Sequence, residues 1–196
     1  MIRDPLVPGG DGHTALGEDD RQGLIPSYIA TRGELFEAEQ RNISEALLRR
    51  APPTGELLDD GYLRGLHKAM FGDVWSWAGI YRNRDTNLGL SFEQISGAVR
   101  SLVLDTVTWF DSATYEPDEM SIRFHHRLVA IHPFPNGNGR HGRIAADYLV
   151  VSLGQSRFTW GAASGVSIAE LRHSYLTALR AADGGDMRGL LHFARS

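Results

Sequence analysis

The stretch "HPFPNGNGRHGR", His132 to Arg143, puts two prolines, a phenylalanine, three glycines and two arginines into one short run. Helical patterns flank it on both sides. Ahead of it Met120, Phe124, Leu128 and Ile131 share one helical face, in a helix that Pro117 opens at a favoured first-turn position. Behind it Ile144, Ala145, Tyr148, Leu149 and Ser152 continue at helical spacing. The stretch reads as the loop of a helix–loop–helix unit. Pro133 disfavours helical dihedrals at His132, so the first helix ends there. His132 then lies at a helix C-terminus, where the dipole favours a protonated imidazole. Pro133 and Pro135 stiffen the loop, and Phe134 between them points into the core as an anchor. Gly137 and Gly139 allow a sharp turn or a close approach. A helix resumes near Asn138.

Charge placement gives the loop its chemistry. Arg140 and Arg143 fall in the first turns of the second helix, where positive charge opposes the macrodipole by a few tenths to about 1 kcal/mol each. An anion seated between the two guanidinium groups and the free amides reverses that penalty. Glycine-flanked amides at a helix N-terminus, with arginines at i and i+3, describe a phosphate site. A histidine at the other end of the loop, with an ordinary pKa near neutrality, is placed to act as a general base. The residues alone point to phosphoryl or nucleotidyl transfer.

The rest of the chain supplies helices. In "TRGELFEAEQRNISEALL" Thr31 and Glu34 have capping-box spacing, and Leu35, Ala38, Ile43, Ala46 and Leu47 form an apolar face. "APPTGE" ends that helix, and Tyr62, Leu63, Leu66 and Met70 share a face of the next. "NRDTNLGL", residues 83–90, is punctuated by Gly and Asn and reads as a small hairpin or an extended flap. Ser91 and Gln94 cap a long helix with Phe92, Ile95, Val99, Leu102, Val103, Val107 and Phe110 on its apolar face. Ser167 and Glu170 make a second capping box, ahead of Ile168, Leu171, Tyr175, Ala178, Leu179 and Ala182. Met187, Leu190, Leu191 and Ala194 close the chain. The expectation is an all-α fold: one domain of about seven helices over residues 27–196, with a small β-hairpin flap and an irregular arm over 1–26.

Composition narrows the partners. The chain has 196 residues, 42% hydrophobic and 22% charged, which suits one well-packed domain. A net charge of −4 provides no basic field for nucleic acid. Without cysteine there are no disulfides, thiol nucleophiles or cysteine metal sites. The opening residues lack the apolar core of a signal peptide and no apolar run reaches membrane-spanning length, so a cytoplasmic protein with no membrane partner is expected.

"HPFPNGNGR" followed by "HGR" closely resembles the signature of Fic-domain proteins, HxFx(D/E)GNGRxxR. "WAGIYR" followed by "NLGL" is similar to the segment that leads into the Fic flap, and "LIPSYIATRGELFEAEQRNI" resembles the branch called mobile mystery protein B. The resemblance implies a Fic-type fold and adenylylation, in which AMP passes from ATP to a Ser, Thr or Tyr hydroxyl of a target protein. It makes His132 the base and Phe134 the loop anchor at the nucleotide site. Gly137, Asn138 and Gly139 become the anion hole, Arg140 a β-phosphate contact and Arg143 a γ-phosphate contact. The flap, Thr86, Asn87, Leu88, Gly89 and Leu90, would dock a target segment as an added strand. ATP and Mg²⁺ are the implied cofactors.

Two departures stand out. The family's Asp or Glu before GNGR is Asn136, a nucleotide-site residue whose amide oxygen can still coordinate Mg²⁺ but without the charge that Mg²⁺ prefers, so weak metal binding is expected, with magnesium entering on ATP. The family's inhibitory [S/T]xxxE[G/N] helix has no match. "TALGED" (Thr14–Asp19) and "SATYEP" (Ser112–Pro117) have the spacing but the wrong following residue. Control is then absent, altered, or supplied by a separate partner, such as the small helix-turn-helix protein commonly encoded beside the mobile mystery branch. Fold and motif do not fix the group moved, so a Fic-type phosphotransferase remains open, as does a non-catalytic nucleotide-binding module because of Asn136. His125 and His126 point about 100° apart on a helix and read as packing or surface residues rather than metal ligands. Trp75, Trp77 and Trp160 read as core, and "RNRD" (82–85) as solvated surface.

Overall fold

A computed structural model of the chain describes residues 21–48 and 50–196. Eight α-helices occur among them: α1 (Arg32–Leu47), α2 (Thr54–Leu57), α3 (Asp60–Phe71), α4 (Ile95–Asp111), α5 (Pro117–Ile131), α6 (Asn138–Ser152), α7 (Ile168–Asp183) and α8 (Arg188–Arg195). The one helix beyond expectation is α2, a single turn in the segment read as a plain break. Both capping boxes form: the Thr31 hydroxyl accepts from Glu34 N while the Glu34 carboxylate accepts from Thr31 N, and Ser167 and Glu170 do the same.

The α5–α6 hairpin occupies the centre because its helices are apolar on two sides. Phe124 and Leu128 of α5, with Ala145, Tyr148 and Leu149 of α6, join Leu63, Met70 and Phe71 of α3 and Val99 and Leu102 of α4 in one core. Ile122, Ala146 and Val150 face the other way and pack with Ala178 and Ala182 of α7 and Leu190 and Ala194 of α8. The loop that joins α5 to α6 therefore emerges at the seam between two cores. Gly142 permits the close approach, since a Cβ there would stand 2.9 Å from Val129 Cγ2 and 3.1 Å from His125 Nδ1.

Three local expectations change. The segment over 83–90 forms no hairpin, and the described residues hold no strand ladder, only an isolated bridge between Leu24 and Trp75. Its ends bond to the end of α5 instead of to each other: Arg82 N donates to Pro133 O (3.0 Å) and Leu90 N to Ile131 O (3.3 Å). Ser91 does not cap α4 with its side chain, because a 3-10 turn, Phe92–Gln94, intervenes. Phe92 and Phe110 are correspondingly exposed, while Ile95, Val99, Leu102 and Thr106 make the buried stripe. Of the expected arm, residues 1–20 lie outside the described residues; beyond them Ser76 N donates to Gly23 O (2.8 Å) and Ile25 N to Val74 O (2.9 Å). No helix among the described residues is long and apolar enough to cross a membrane.

Replacing Gly142 with Val crowds the α5–α6 seam and is expected to destabilise the fold by about 1–3 kcal/mol, measured by urea denaturation.

Candidate functional site

The loop after α5 is built around Phe134. Its ring is fully buried and stacks on His67 with centroids 3.7 Å apart, with Tyr81 and His141 alongside. Asn138 clasps the same residue twice: Phe134 N donates to Asn138 Oδ1 (2.9 Å) and Asn138 Nδ2 donates to Phe134 O (2.8 Å). The side chains of Phe134 and Asn138 thus hold the loop rather than reach for a ligand. His67 adds a third hold. Gly79 N donates to its Nδ1 (3.0 Å), which puts the ring proton on Nε2, and Nε2 donates to Asn136 O (3.0 Å). Gly137 has φ 80, and a Cβ there would lie 2.7 Å from the Phe71 ring, so only glycine fits.

A cavity of about 780 Å³ opens in front of this loop and is lined by His132, Asn136, Gly137, Asn138, Gly139, Arg140 and Arg143. No side chain caps α6, so the N–H groups of its first turn stay available at the cavity wall. At Gly139 the protein leaves room, since a Cβ would meet nothing nearer than Arg143 Nη1 at 3.9 Å. Its lack of a side chain matters toward the cavity.

Both arginines face this space, but each already has a partner. Arg140 Nη1 donates to Glu39 Oε2 (2.6 Å) and its guanidinium lies over the Phe71 ring. Glu39 in turn accepts from Trp75 Nε1 (2.8 Å) and is itself buried. Arg143 lies over the Tyr175 ring, whose hydroxyl pairs with His125 Nε2 (3.0 Å). Asp147, one turn beyond Arg143, accepts from Trp160 Nε1 (3.0 Å) and Phe158 N (3.3 Å), and burial lifts its pKa to about 6.

His132 is the C-cap of α5 in the left-handed conformation, φ 55 and ψ 60. The dipole at the end of α5 favours a protonated ring. The ring is instead held neutral, its pKa lowered to about 4, first by burial and then by the Arg82 charge, with a backbone hydrogen bond at Val129 opposing them. Burial outweighs the dipole here because the residue is only 7% exposed. A neutral imidazole that donates to a carbonyl keeps its other nitrogen as an acceptor.

Asn136 Oδ1 accepts from the adjacent Gly137 N (2.6 Å). One neutral oxygen already in use does not fit a resident magnesium ion, and no cluster of three His, Asp or Glu capable of holding a metal occurs among the described residues. The flap residues Thr86 to Leu90 stand beside the cavity and do not line it. Gly89, φ 94, packs directly on His132, where a Cβ would fall 2.4 Å from His132 Cβ.

Several residues of the site escape the sequence reading: Glu39, His67, Arg82, Asp147 and Tyr175. Glu39 had a signal, a charge one turn after Leu35 on the apolar stripe of α1. Arg82, expected in solvent, is buried, and Trp160, expected in the core, lines the cavity. His125 is packed and His126 pairs with Asp183, as positions read for packing and surface. "SATYEP" is the link between α4 and α5, and "TALGED" lies outside the described residues.

The sequence model of the Fic/DOC family matches residues 57–150. A Fido domain-containing protein of Dictyostelium discoideum is 30% identical over 109 residues, covering 54% of this chain and 71% of that protein. The chain belongs to the Fic/DOC family. A probable protein adenylyltransferase of Sinorhizobium fredii is 33% identical to the Fic chain over 120 residues, 57% of this chain and 62% of that protein. The Fic chain spans only 17% to 62% of the relatives named as adenylyltransferases. In fold it is similar to a Bartonella tribocorum BepC structure, described with bound AMPPNP, at a TM-score of 0.68 and 18% identity, over 91% of this chain and 97% of that one.

Burial keeps His67, His125, His132 and His141 neutral, the last three with pKa values of about 3, 4 and 4. Below about pH 6.5 the unfolded chain binds protons at these positions that the folded Fic chain refuses. Stability is therefore expected to be full above about pH 6.5 and to fall steadily toward pH 4, with Asp147 opposing weakly. Thermal melts across that range check it; a flat midpoint contradicts it.

Proposed function

We propose that this Fic chain is a protein adenylyltransferase, moving AMP from ATP to a Ser, Thr or Tyr hydroxyl of a target protein. One observation carries the reading: a neutral, buried histidine opens onto the same cavity as an uncapped helix N-terminus flanked by two arginines. Each part has a task. The N–H groups of Asn138, Gly139 and Arg140 receive the phosphates, and the helix dipole favours their charge. Arg140 exchanges Glu39 for a β-phosphate oxygen, and Arg143 reaches the γ-phosphate. The acceptor nitrogen of His132 takes the hydroxyl proton as that oxygen attacks the α-phosphorus. The bond from the α-phosphorus to its bridging oxygen breaks, and pyrophosphate leaves.

Target docking falls to the flap. Leu90 turns both main-chain groups inward, N–H to Ile131 O and C=O to Arg82, and the Leu88 carbonyl accepts from Thr86 Oγ1 (2.6 Å). A target segment would therefore pair along 86–89. Magnesium belongs in this reading on the nucleotide's own phosphates. Placement in the mobile mystery protein B branch rests on the 24–43 segment and brings a helix-turn-helix partner with it as the proposed regulator.

A second reading, nucleotide binding without transfer, is favoured by Asn136, which takes the Gly137 N–H that an anion would otherwise use.

Incubation with ATP, Mg²⁺ and cell lysate, read by mass spectrometry, tests the choice. Adenylyl adducts on hydroxyls that fall by about 10²-fold or more in His132→Ala support transfer; phosphoryl adducts point to the phosphotransferase; none, with ATP still bound and Asn136→Asp restoring adducts, points to the binding module. In isothermal titration, Glu39→Gln is expected to tighten ATP binding by about threefold to tenfold, because the nucleotide no longer competes for Arg140; weaker binding would give Glu39 a supporting role instead.

A further inference from the structure

Arg82 lies outside the motif, yet its guanidinium is spent entirely on main-chain carbonyls around His132 and the flap. Nε donates to His132 O (2.8 Å), Nη1 to Arg84 O (2.8 Å) and Nη2 to Leu90 O. Its own N–H donates to Pro133 O (3.0 Å). The residue is 4% exposed, and its neighbouring carboxylate, Asp85, is a distant 3.8 Å away and 67% exposed.

The three carbonyls belong to two different pieces of chain. His132 O is at the end of α5. Arg84 O and Leu90 O are the two roots of the flap, so one planar fork closes the 84–90 loop on itself and onto α5. Two further observations make the geometry consequential. His132 is left-handed, a conformation that costs a residue with a side chain about 1–2 kcal/mol and persists only where neighbours enforce it. The bonds from Arg82 to the His132 and Pro133 carbonyls hold the chain immediately after that strained residue, and Leu90 N holds the Ile131 carbonyl just before it. Gly89, next to the Leu90 root, rests against His132 Cβ and stands within reach of Arg82 Nη2.

We propose that Arg82 is a positioning residue: through one guanidinium it sets both the main-chain pose of His132 and the edge that the flap presents to a target, locking base and docking edge into one frame. The proposal rests on the transfer reading for its catalytic consequence, but not for its structural one. A lysine cannot replace the fork, because an ammonium is a point donor that cannot span three carbonyls set around a plane.

The charge has a second effect. The charged groups that share the cavity with His132 are Arg32 and Glu39 of α1, Arg140, Arg143 and Asp147 of α6 and Arg172 of α7; behind the ring stand Arg82 and its neighbour Asp85. Arg82 is the charge that bears on the ring, disfavouring its protonation, whereas Arg140 is balanced by Glu39. Removing the Arg82 charge and removing its fork are therefore separable experiments.

Imidazole NMR titration of the full chain reads the first. Arg82→Gln is expected to raise the His132 pKa by about 0.5–1 unit, while Arg82→Lys leaves it near the wild-type value. Steady-state adenylylation reads the second: Arg82→Lys is expected to raise KM for the target about tenfold or more and KM for ATP less than about twofold. A His132 titration unmoved in folded Arg82→Gln, or the two KM values changing in parallel in Arg82→Lys, would overturn the proposal. If Arg82→Gln does not fold, Arg82→Lys alone decides it. If the wild-type chain transfers nothing, the transfer reading fails while the titration still tests Arg82, so the two failures stay distinct.

Discussion

An open helix N-terminus facing a cavity is an expensive thing to keep, and this molecule keeps one. The first turn of α6 has no capping side chain, and its amides must stay in line while the residues before them make a left-handed turn. The structure meets that constraint from behind. Phe134 is sunk between His67 and His141, Asn138 grips it through two hydrogen bonds, and His67 holds the Asn136 carbonyl in place. The loop is fixed by its buried face, which leaves its other face turned to the cavity.

The electrostatics follow from the same burial. Around the loop the histidines are neutral because burial disfavours their charge: His67 uses both ring nitrogens, on Gly79 N and Asn136 O, while His141 and His125 each place Nε2 on a partner, Leu63 O and the Tyr175 hydroxyl. The cations are treated differently. Arg82 is dispersed over carbonyls at the negative end of α5, Arg140 is matched to Glu39, and Arg143 leans on Tyr175. Each cation thus meets a different kind of partner within the protein, and only Arg140 meets a carboxylate at close range.

Helices and their ends were legible in the residues. The capping boxes at Thr31 and Ser167, the proline start of α5 and its termination before Pro133 all form as local chemistry demands, because each depends on neighbours within four positions. The loop's composition was legible too, and His132, Gly137, Gly139, Arg140 and Arg143 line one cavity. The hairpin expected over 83–90 failed for a non-local reason: its backbone groups found partners on α5 and Arg82, and a two-stranded ribbon without a third strand has little to hold it.

What the chain by itself determined was where α5 stops, where α6 starts and which charges lie in its first turns, since these are matters of a few consecutive residues. Tertiary structure alone decided what meets them. Glu39 comes from 101 positions away to Arg140, His67 from 69 away to the Asn136 carbonyl, and Arg82 from 50 away to His132. It also reversed the protonation expected at His132, because a helix dipole acts within one turn whereas desolvation depends on everything packed around the ring.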